Sequence, residues 1–242
     1  MLNIKLNKFI LVDKPVGWTS FDAVAFVRRI AINNEREKNT CPVKSGEAGS
    51  PKAKFNRVKV GHAGTLDPFA TGLLIIGVGR QATKQLDKIK SLAKTYQAII
   101  RLGATSDTDD STGKINQLTI SNEQITKLTK KEISNVLKKF TGEQEQIPPM
   151  YSAKSIGGQR LYKLARQGKI IERPPSKIKI YKIKLLDFKW PDLSIEVKCS
   201  SGTYIRTLAH DIGEALGAGG YCSELRRTKI GNYRIEKAKQ IV

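Results

Sequence analysis

The sequence predicts an α+β fold, and three observations predict it. Several segments alternate apolar and polar residues with the period of two that a half-buried sheet face requires, most clearly KTYQAIIRLGA and LSIEVKCS. Other segments repeat apolar residues at helical spacing, as in TKKEISNVLKKF. The two kinds do not alternate as regular βαβ units, so a doubly wound parallel sheet is not expected. With 242 residues, 39% of them hydrophobic, the chain can bury a core without disulfide or metal staples.

From the start of the chain, KFILVDKPVGWTS reads as a short buried strand stopped by Lys14-Pro15 and a glycine turn. Ser20 is the candidate cap of the following helix, SFDAVAFVRRIAI, in which Phe21, Val24, Val27 and Ile30 form the apolar stripe. From Asn33 to Arg57 the pattern dissolves into polar, charged and breaker-rich sequence, and a flexible surface loop is expected. LLIIGVG reads as a buried strand and KTYQAIIRLGA as another, with Tyr96, Ala98, Ile100 and Leu102 on one face. The loop ATSDTDDSTGK carries Asp107, Asp109 and Asp110. It fails as a calcium loop, because Thr112 and Leu118 stand where an EF-hand frame from Asp107 needs Gly and Glu.

Thr129 and Glu132 form a candidate capping box for a helix with Ile133, Val136, Leu137 and Phe140 inside. The stretch EQIPPMYSAKSIGGQRLYKLARQGKIIERPPSK, bracketed by two Pro-Pro pairs, reads as an exposed, partly helical excursion. Strands follow around KIYKIKLLDFKW and LSIEVKCS. SGTYIRTLAHDIGEALGAGG then turns a strand into a helix with Ile205, Leu208, Ile212 and Leu216 inside and Gly217 as its C-terminal stop. LRRTKIGNYRIEKAKQIV is a basic strand and tail.

Charge narrows the function classes. There are 43 Lys and Arg against 22 Asp and Glu, a formal net charge of +21. A balance this basic points to a polyanionic partner, nucleic acid before membrane, although lysine-rich surfaces alone also produce it. Cys41, Cys199 and Cys222 are scattered, with no CxxC pair, which suits a reducing compartment and supplies no zinc framework. No apolar run is long enough to span a bilayer, and FILV is too short for a signal-peptide core, so a cytoplasmic protein is expected.

The segment GHAGTLDPFATG, from Gly61 to Gly72, is the most informative. It holds one carboxylate, Asp67, before Pro68, which pushes Asp67 away from helical backbone. The glycines permit tight turns, so the acid sits on a stiff perch beside an apolar strand. Asp-Pro among glycines is also ordinary turn chemistry. A Walker A loop is excluded by the missing GK[ST], and a dinucleotide fingerprint because the glycines precede a strand rather than a helix. A glycosidase normally needs two acids, and this segment supplies one. In SGTYIRTL, Tyr204 and Arg206 stand where a strand hands over to a helix. An arginine there can hold a buried Asp ionised, and a tyrosine can stack on a base or pass a proton. For this segment alone, a packed Tyr and a surface Arg are the more ordinary outcome.

Together these segments resemble one family, the TruB-type tRNA pseudouridine synthases. The matching stretches, in order, are LVDKPVGWTS, GHAGTLDPFATGLLIIGVGRQATK, KTYQAIIRLG, QIPPMYSAKSIGGQRLYKLARQG, CSSGTYIRTLAHDIG and LRRTKIG. The resemblance implies a bent, mixed, largely antiparallel sheet flanked by helices and loops, forming a single catalytic domain over residues 1–242 with a cleft across its middle. It implies that Asp67 is the catalytic aspartate, that Tyr96 stacks on the target uracil, and that Tyr204 and Arg206 are the active-site tyrosine and the arginine paired with the aspartate. Leu225 matches an apolar contact to the base, and His62 a residue that enters the space left by a flipped nucleotide. The excursion around residues 146–178 matches an insertion that closes over RNA.

The implied reaction isomerises the T-loop uridine of tRNA, position 55, to pseudouridine. It breaks C1′–N1, turns the base and joins C1′ to C5. Nothing is oxidised and no group is imported, so neither cofactor nor metal is expected. Asp67 serves either as a nucleophile or as a base towards the ribose. The expected partner is the tRNA T-arm stem-loop, with no membrane and no guide RNA, and a monomer is expected. Residues 33–57 are longer than the family pattern. The small RNA-binding PUA domain that bacterial relatives usually carry is not expected in the sequence up to Val242, either because the chain naturally lacks it or because the sequence is a shortened product. The alternative in another class is a non-catalytic RNA-binding protein on the same scaffold. The combination of Asp67, Tyr96, Tyr204 and Arg206 argues against it, because binding alone does not need a carboxylate facing phosphates.

Overall fold

Where the sequence alternates with period two, the chain pairs into sheet, and the helices stand where apolar residues recur every three to four positions. The computed structural model describes residues 4–38, 58–152, 154–169 and 171–241. It divides into two compact units, residues 1–92 with 228–242, and residues 93–227.

The first unit is built on β1 (Lys8–Lys14), β2 (Val60–His62) and β3 (Thr71–Val78). β3 lies antiparallel to both of the others, with Val12 opposite Leu74 and His62 opposite Ile76. Seven of the eight residues of β3 are buried, which is why LLIIGV is continuous rather than alternating. One side of this sheet packs Leu74, Ile76 and Val78 against Ala23, Val24, Val27 and Ala31 of helix α1 (Ser20–Lys38). The other side packs Leu73 and Ile75 against Leu86 and Ile89.

Three features of α1 differ from the sequence expectation. The helix continues past Ile32 to Lys38, over part of the stretch expected as a loop. NNEREK lacks an apolar stripe, so its period is silent, yet Glu, Arg and Lys are good helix formers. The rest of that expected loop, residues 39–57, lies outside the described residues. The cap is Thr19 rather than Ser20. Thr19 Oγ1 accepts the Asp22 N–H at 3.2 Å, while Asp22 Oδ2 accepts the Thr19 N–H at 2.8 Å. Finally Phe21, expected in the buried stripe, is 75% exposed.

The second unit holds β4 (Lys94–Leu102), the hairpin of β5 (Ala104–Ser106) and β6 (Ile115–Gln117), and β7 (Gly142–Gln146). It continues through the small hairpin of β8 (Ser155–Ile156) and β9 (Gln159–Arg160), then β10 (Ser176–Lys189), β11 (Asp192–Cys199) and β12 (Gly220–Ile230), whose last three residues are counted with the first unit. Its main sheet runs β12-β4-β11-β10-β7. The β4–β11, β11–β10 and β10–β7 pairs are antiparallel. On β4, Tyr96, Ala98, Ile100 and Leu102 are all buried, as the alternation requires.

The helix Lys130–Lys139 buries Ile133, Val136 and Leu137, and Thr129 caps it by accepting the Glu132 N–H at 3.2 Å. The helix Ile205–Ala215 buries Ile205, Leu208 and Ile212. It stops at Gly217, whose φ of 68° lets its N–H reach Glu214 O at 2.9 Å and the next N–H reach Gly213 O at 3.1 Å. The chain then leaves β12 for β13 (Tyr233–Arg234), antiparallel to the end of β12, and β14 (Lys239–Gln240), parallel to β1. The result is mixed but mostly antiparallel sheet with helices packed on it, an α+β arrangement.

Candidate active site

Asp67 sits in the turn between β2 and β3, and that turn is fastened on both sides of it. On one side, Ser20 Oγ accepts the Leu66 N–H at 2.8 Å and pairs with Leu66 O at 3.1 Å. Both residues are buried, at 2% and 3% exposure. On the other side, Pro68 O accepts the Gly17 N–H at 2.8 Å. Within the turn, the Ala70 N–H closes on Asp67 O at 3.1 Å, with Pro68 in the position its fixed φ favours. Gly64 has a φ of 87° and Gly72 one of 102°, backbone that a side chain would strain.

The fully buried Lys14 adds a further tie. Its Nζ donates to Pro15 O at 2.8 Å and Trp18 O at 2.6 Å, and reaches Pro68 O at 3.5 Å. The DKPVGWTS segment therefore serves as a bracket that holds the Asp67 turn. Asp67 itself is half-buried. His62, the last residue of β2, is also half-buried. Its ring stands perpendicular to Phe21, at 89°, with ring centroids 5.7 Å apart.

Tyr96, Tyr204, Arg206 and Leu225 belong to the second unit. Tyr96 lies on β4 opposite Val197 and is 8% exposed. Leu225, on β12, is 7% exposed. Tyr204 is half-buried and immediately precedes the helix Ile205–Ala215. Its backbone is gripped by Gln146. The Gln146 carboxamide accepts the Tyr204 N–H at 2.8 Å and donates to Tyr204 O at 2.9 Å. This satisfies a helix-terminal N–H that would otherwise lack a partner.

Arg206 is buried in the first helical turn, at 4% exposure. Its Nη1 donates to Asp110 Oδ2 and to Thr108 O, each at 3.1 Å, and its Nη2 donates to Tyr151 O at 2.8 Å. The expected aspartate partner lies in the other unit; the partner within its own unit is Asp110. Asp110 is itself held, because its Oδ1 accepts from Thr108 Oγ1 at 2.8 Å, the Thr112 N–H at 2.9 Å and Thr112 Oγ1 at 2.5 Å. The loop ATSDTDDSTGK thus cradles the Arg206 guanidinium, and among the described residues it forms no cluster that could hold a metal ion. Next to it, Asp109 adopts a φ of 59° and faces His210 at 3.7 Å, and burial raises its carboxyl pKa.

Further along the sheet, Lys94 is 6% exposed, and burial, reinforced by the nearby Arg227, lowers its pKa to about 8. Ser20, Gln146 and Asp110 are the positioning residues that the sequence reading missed. A Ser three residues beyond a glycine turn and an Asp in a polar loop carry no local signal of a partner tens of residues away.

Among the described residues, no helix is long and apolar enough to cross a membrane. The family model described as TruB family pseudouridylate synthase (N terminal domain) matches residues 52–205. One described as tRNA pseudouridylate synthase B C-terminal domain matches residues 206–242. A tRNA pseudouridine synthase B from Francisella philomiragia is 51% identical over 187 residues, covering 77% of this chain and 61% of that protein. A tRNA pseudouridine synthase B from Mycobacterium sp. (strain KMS) is 39% identical over 233 residues, covering 95% of this chain and 69% of its own length. Among solved structures, a chain of a Cbf5-Nop10-Gar1 complex aligns with a TM-score of 0.65 and 28% identity, over 96% of this chain and 51% of that one. The chain therefore spans about half to two thirds of the length of these relatives.

Proposed function

The chain belongs to the TruB family of pseudouridylate synthases, and on that premise we propose that it is an isomerase converting the T-loop uridine of tRNA, position 55, to pseudouridine. The observation that carries this reading is Asp67, a half-exposed carboxylate between two residues whose backbones are fixed by Ser20 and Gly17. A reacting group held this rigidly meets the positional demand of attack on a ribose.

In this reading the uridine leaves its stack, as any base must before chemistry is done on it. Tyr96 provides the aromatic plate under the uracil, Leu225 an apolar contact, and His62 the side chain that fills the vacated place. Asp67 acts at the ribose, as nucleophile or as base. The glycosidic C1′–N1 bond breaks, the uracil turns, C1′ joins C5, the C5 proton is lost to solvent, and N1 takes up a proton in its place. Tyr204 is the candidate base for that proton. Atoms balance without an external reactant, because the product is an isomer of the substrate.

Arg206 supports the reading as a buried cation whose guanidinium is oriented by Asp110 and two carbonyls, ready to favour an ionised carboxylate. The net charge of +21 suits a folded RNA partner and predicts salt-sensitive binding. The relatives' name, tRNA pseudouridine synthase B, supports action on tRNA; in this reading the enzyme works alone in the cytoplasm, without a guide RNA. The segment around residues 146–178 would close over the RNA, and one catalytic domain would act as a monomer.

The test is release of tritium from C5-labelled uridine in a T-arm stem-loop. The wild type should release it under single-turnover conditions. Asp67→Asn should bind the RNA and release none. No release by the wild type would overturn the proposed function, and full activity of Asp67→Asn would overturn the role of that residue.

A further inference from the structure

Phe21 is 75% exposed, more than any other large hydrophobic side chain among the described residues. Val16, before the glycine that fastens Pro68, is 66% exposed. Apolar surface left in water contributes nothing to folding, so Phe21 is not there for the core. Helix α1 has its buried side in Ala23, Val24, Val27 and Ala31, and Phe21 points the other way.

The exposed face of α1 is organised. Phe21, Ala25, Arg28 and Arg29 are all exposed, at the i, i+4, i+7 and i+8 spacing of one helix side. Arg28 and Arg29 therefore follow Phe21 at about 10–12 Å along the axis. The face runs beside β2, for Phe21 meets His62 at its ring edge, 5.7 Å between centroids, and Arg28 Nη2 donates to Val60 O at 3.4 Å. Because the Phe21 and His62 rings are perpendicular, His62 covers at most one face of the phenyl ring. The carboxylate on this face, Asp22, is turned back onto Thr19, whose N–H and hydroxyl it accepts at 2.8 and 2.7 Å.

An open aromatic face followed by two guanidinium groups is the pairing that reads single-stranded nucleic acid, a stacking plate for a base and cations for the backbone. We propose that this face of α1 is a second RNA-contact surface, on which Phe21 stacks against an unpaired loop base neighbouring the target uridine while Arg28 and Arg29 meet phosphates. The inference rests on the proposed action on RNA, because it places the second base beside the nucleotide whose position His62 takes. It adds a residue that fixes which loop geometry the protein accepts.

The experiment measures the Kd of a T-arm stem-loop carrying 2-aminopurine at each loop position flanking the target in turn. With wild type, one flanking position should change its fluorescence on binding. Phe21→Ala should lose that signal and weaken binding about 5- to 150-fold, the range that removal of one base stack produces, and Phe21→Trp should restore both. Arg28→Gln with Arg29→Gln should flatten the salt dependence of log Kd by about 0.7–0.9 for each phosphate that is no longer neutralised.

Phe21 is solvent-exposed, so Phe21→Ala should unfold at the wild-type urea midpoint, which separates binding from folding. Binding of Phe21→Ala within twofold of wild type, with an unchanged fluorescence pattern, overturns the inference while leaving tritium release intact. A wild type that binds through Phe21 but releases no tritium sinks the catalytic reading alone. A wild type that does not bind the stem-loop sinks both.

Discussion

Replacing Ser20 by alanine removes one hydroxyl and strands two backbone groups. Ser20 Oγ accepts the Leu66 N–H at 2.8 Å and donates to Leu66 O at 3.1 Å, with serine and leucine at 2% and 3% exposure. No water reaches this pair easily, so the loss is not only that of two net hydrogen bonds. Each contributes about 0.5–1.5 kcal/mol, and an unsatisfied buried group costs about 1–3 kcal/mol. The turn keeps its second fastening, from Gly17 to Pro68 O, and can relax towards solvent on the Asp67 side. A loss of about 2–3 kcal/mol is therefore expected. It should appear in urea unfolding as a lower midpoint at unchanged slope.

The same substitution separates positioning from binding. Asp67 is the next residue after Leu66, so freeing Leu66 should move the carboxylate and slow single-turnover tritium release. Affinity for the T-arm stem-loop should stay close to wild type, because neither Ser20 nor Leu66 offers a charge to RNA. Wild-type stability together with a wild-type rate in Ser20→Ala would refute the claim that this hydroxyl holds the Asp67 turn.

Two further perturbations probe the second unit. Asp110→Ala leaves the 4%-exposed Arg206 without its carboxylate, and breaking such a buried pair should cost about 3–5 kcal/mol in urea unfolding. A loss below about 1 kcal/mol would show that the guanidinium's other partners, the Thr108 and Tyr151 carbonyls among them, suffice without Asp110. Lys94, whose pKa falls from 10.5 to about 8 on burial, should make the protein gain stability as pH rises from about 8 to 10.5. In that window the unfolded chain binds the proton and the folded one does not. The gain is bounded by about 3 kcal/mol, and Lys94→Met should abolish it; parallel stability–pH curves for the two proteins would contradict the shift.

Local chemistry made much of this protein legible in its sequence. The buried face of β4 from Tyr96 to Leu102, the helix Lys130–Lys139 under Thr129 and the Gly217 stop follow from periodicity and from glycine's access to positive φ. These depend on residues within a few positions of one another. The order of six motifs identified the family, and the resemblance singled out the candidate residues, from His62 and Asp67 to Leu225.

Tertiary structure decided what those residues touch. Ser20 and Leu66 are 46 residues apart, Gln146 and Tyr204 are 58 apart, and Asp110 and Arg206 are 96 apart. No pattern of period two or 3.6 encodes such a pairing. The same limit hid the polar strand β7, GEQEQ, which borders the sheet and needs no apolar alternation. It also hid the exposure of Phe21. A phenylalanine at helical spacing from Val24 satisfies the stripe on paper, but its place in the first turn of α1 rotates it out of the core. A sequence states which side chains can be buried; only the packing of α1 against β3 decides that this one is left facing water.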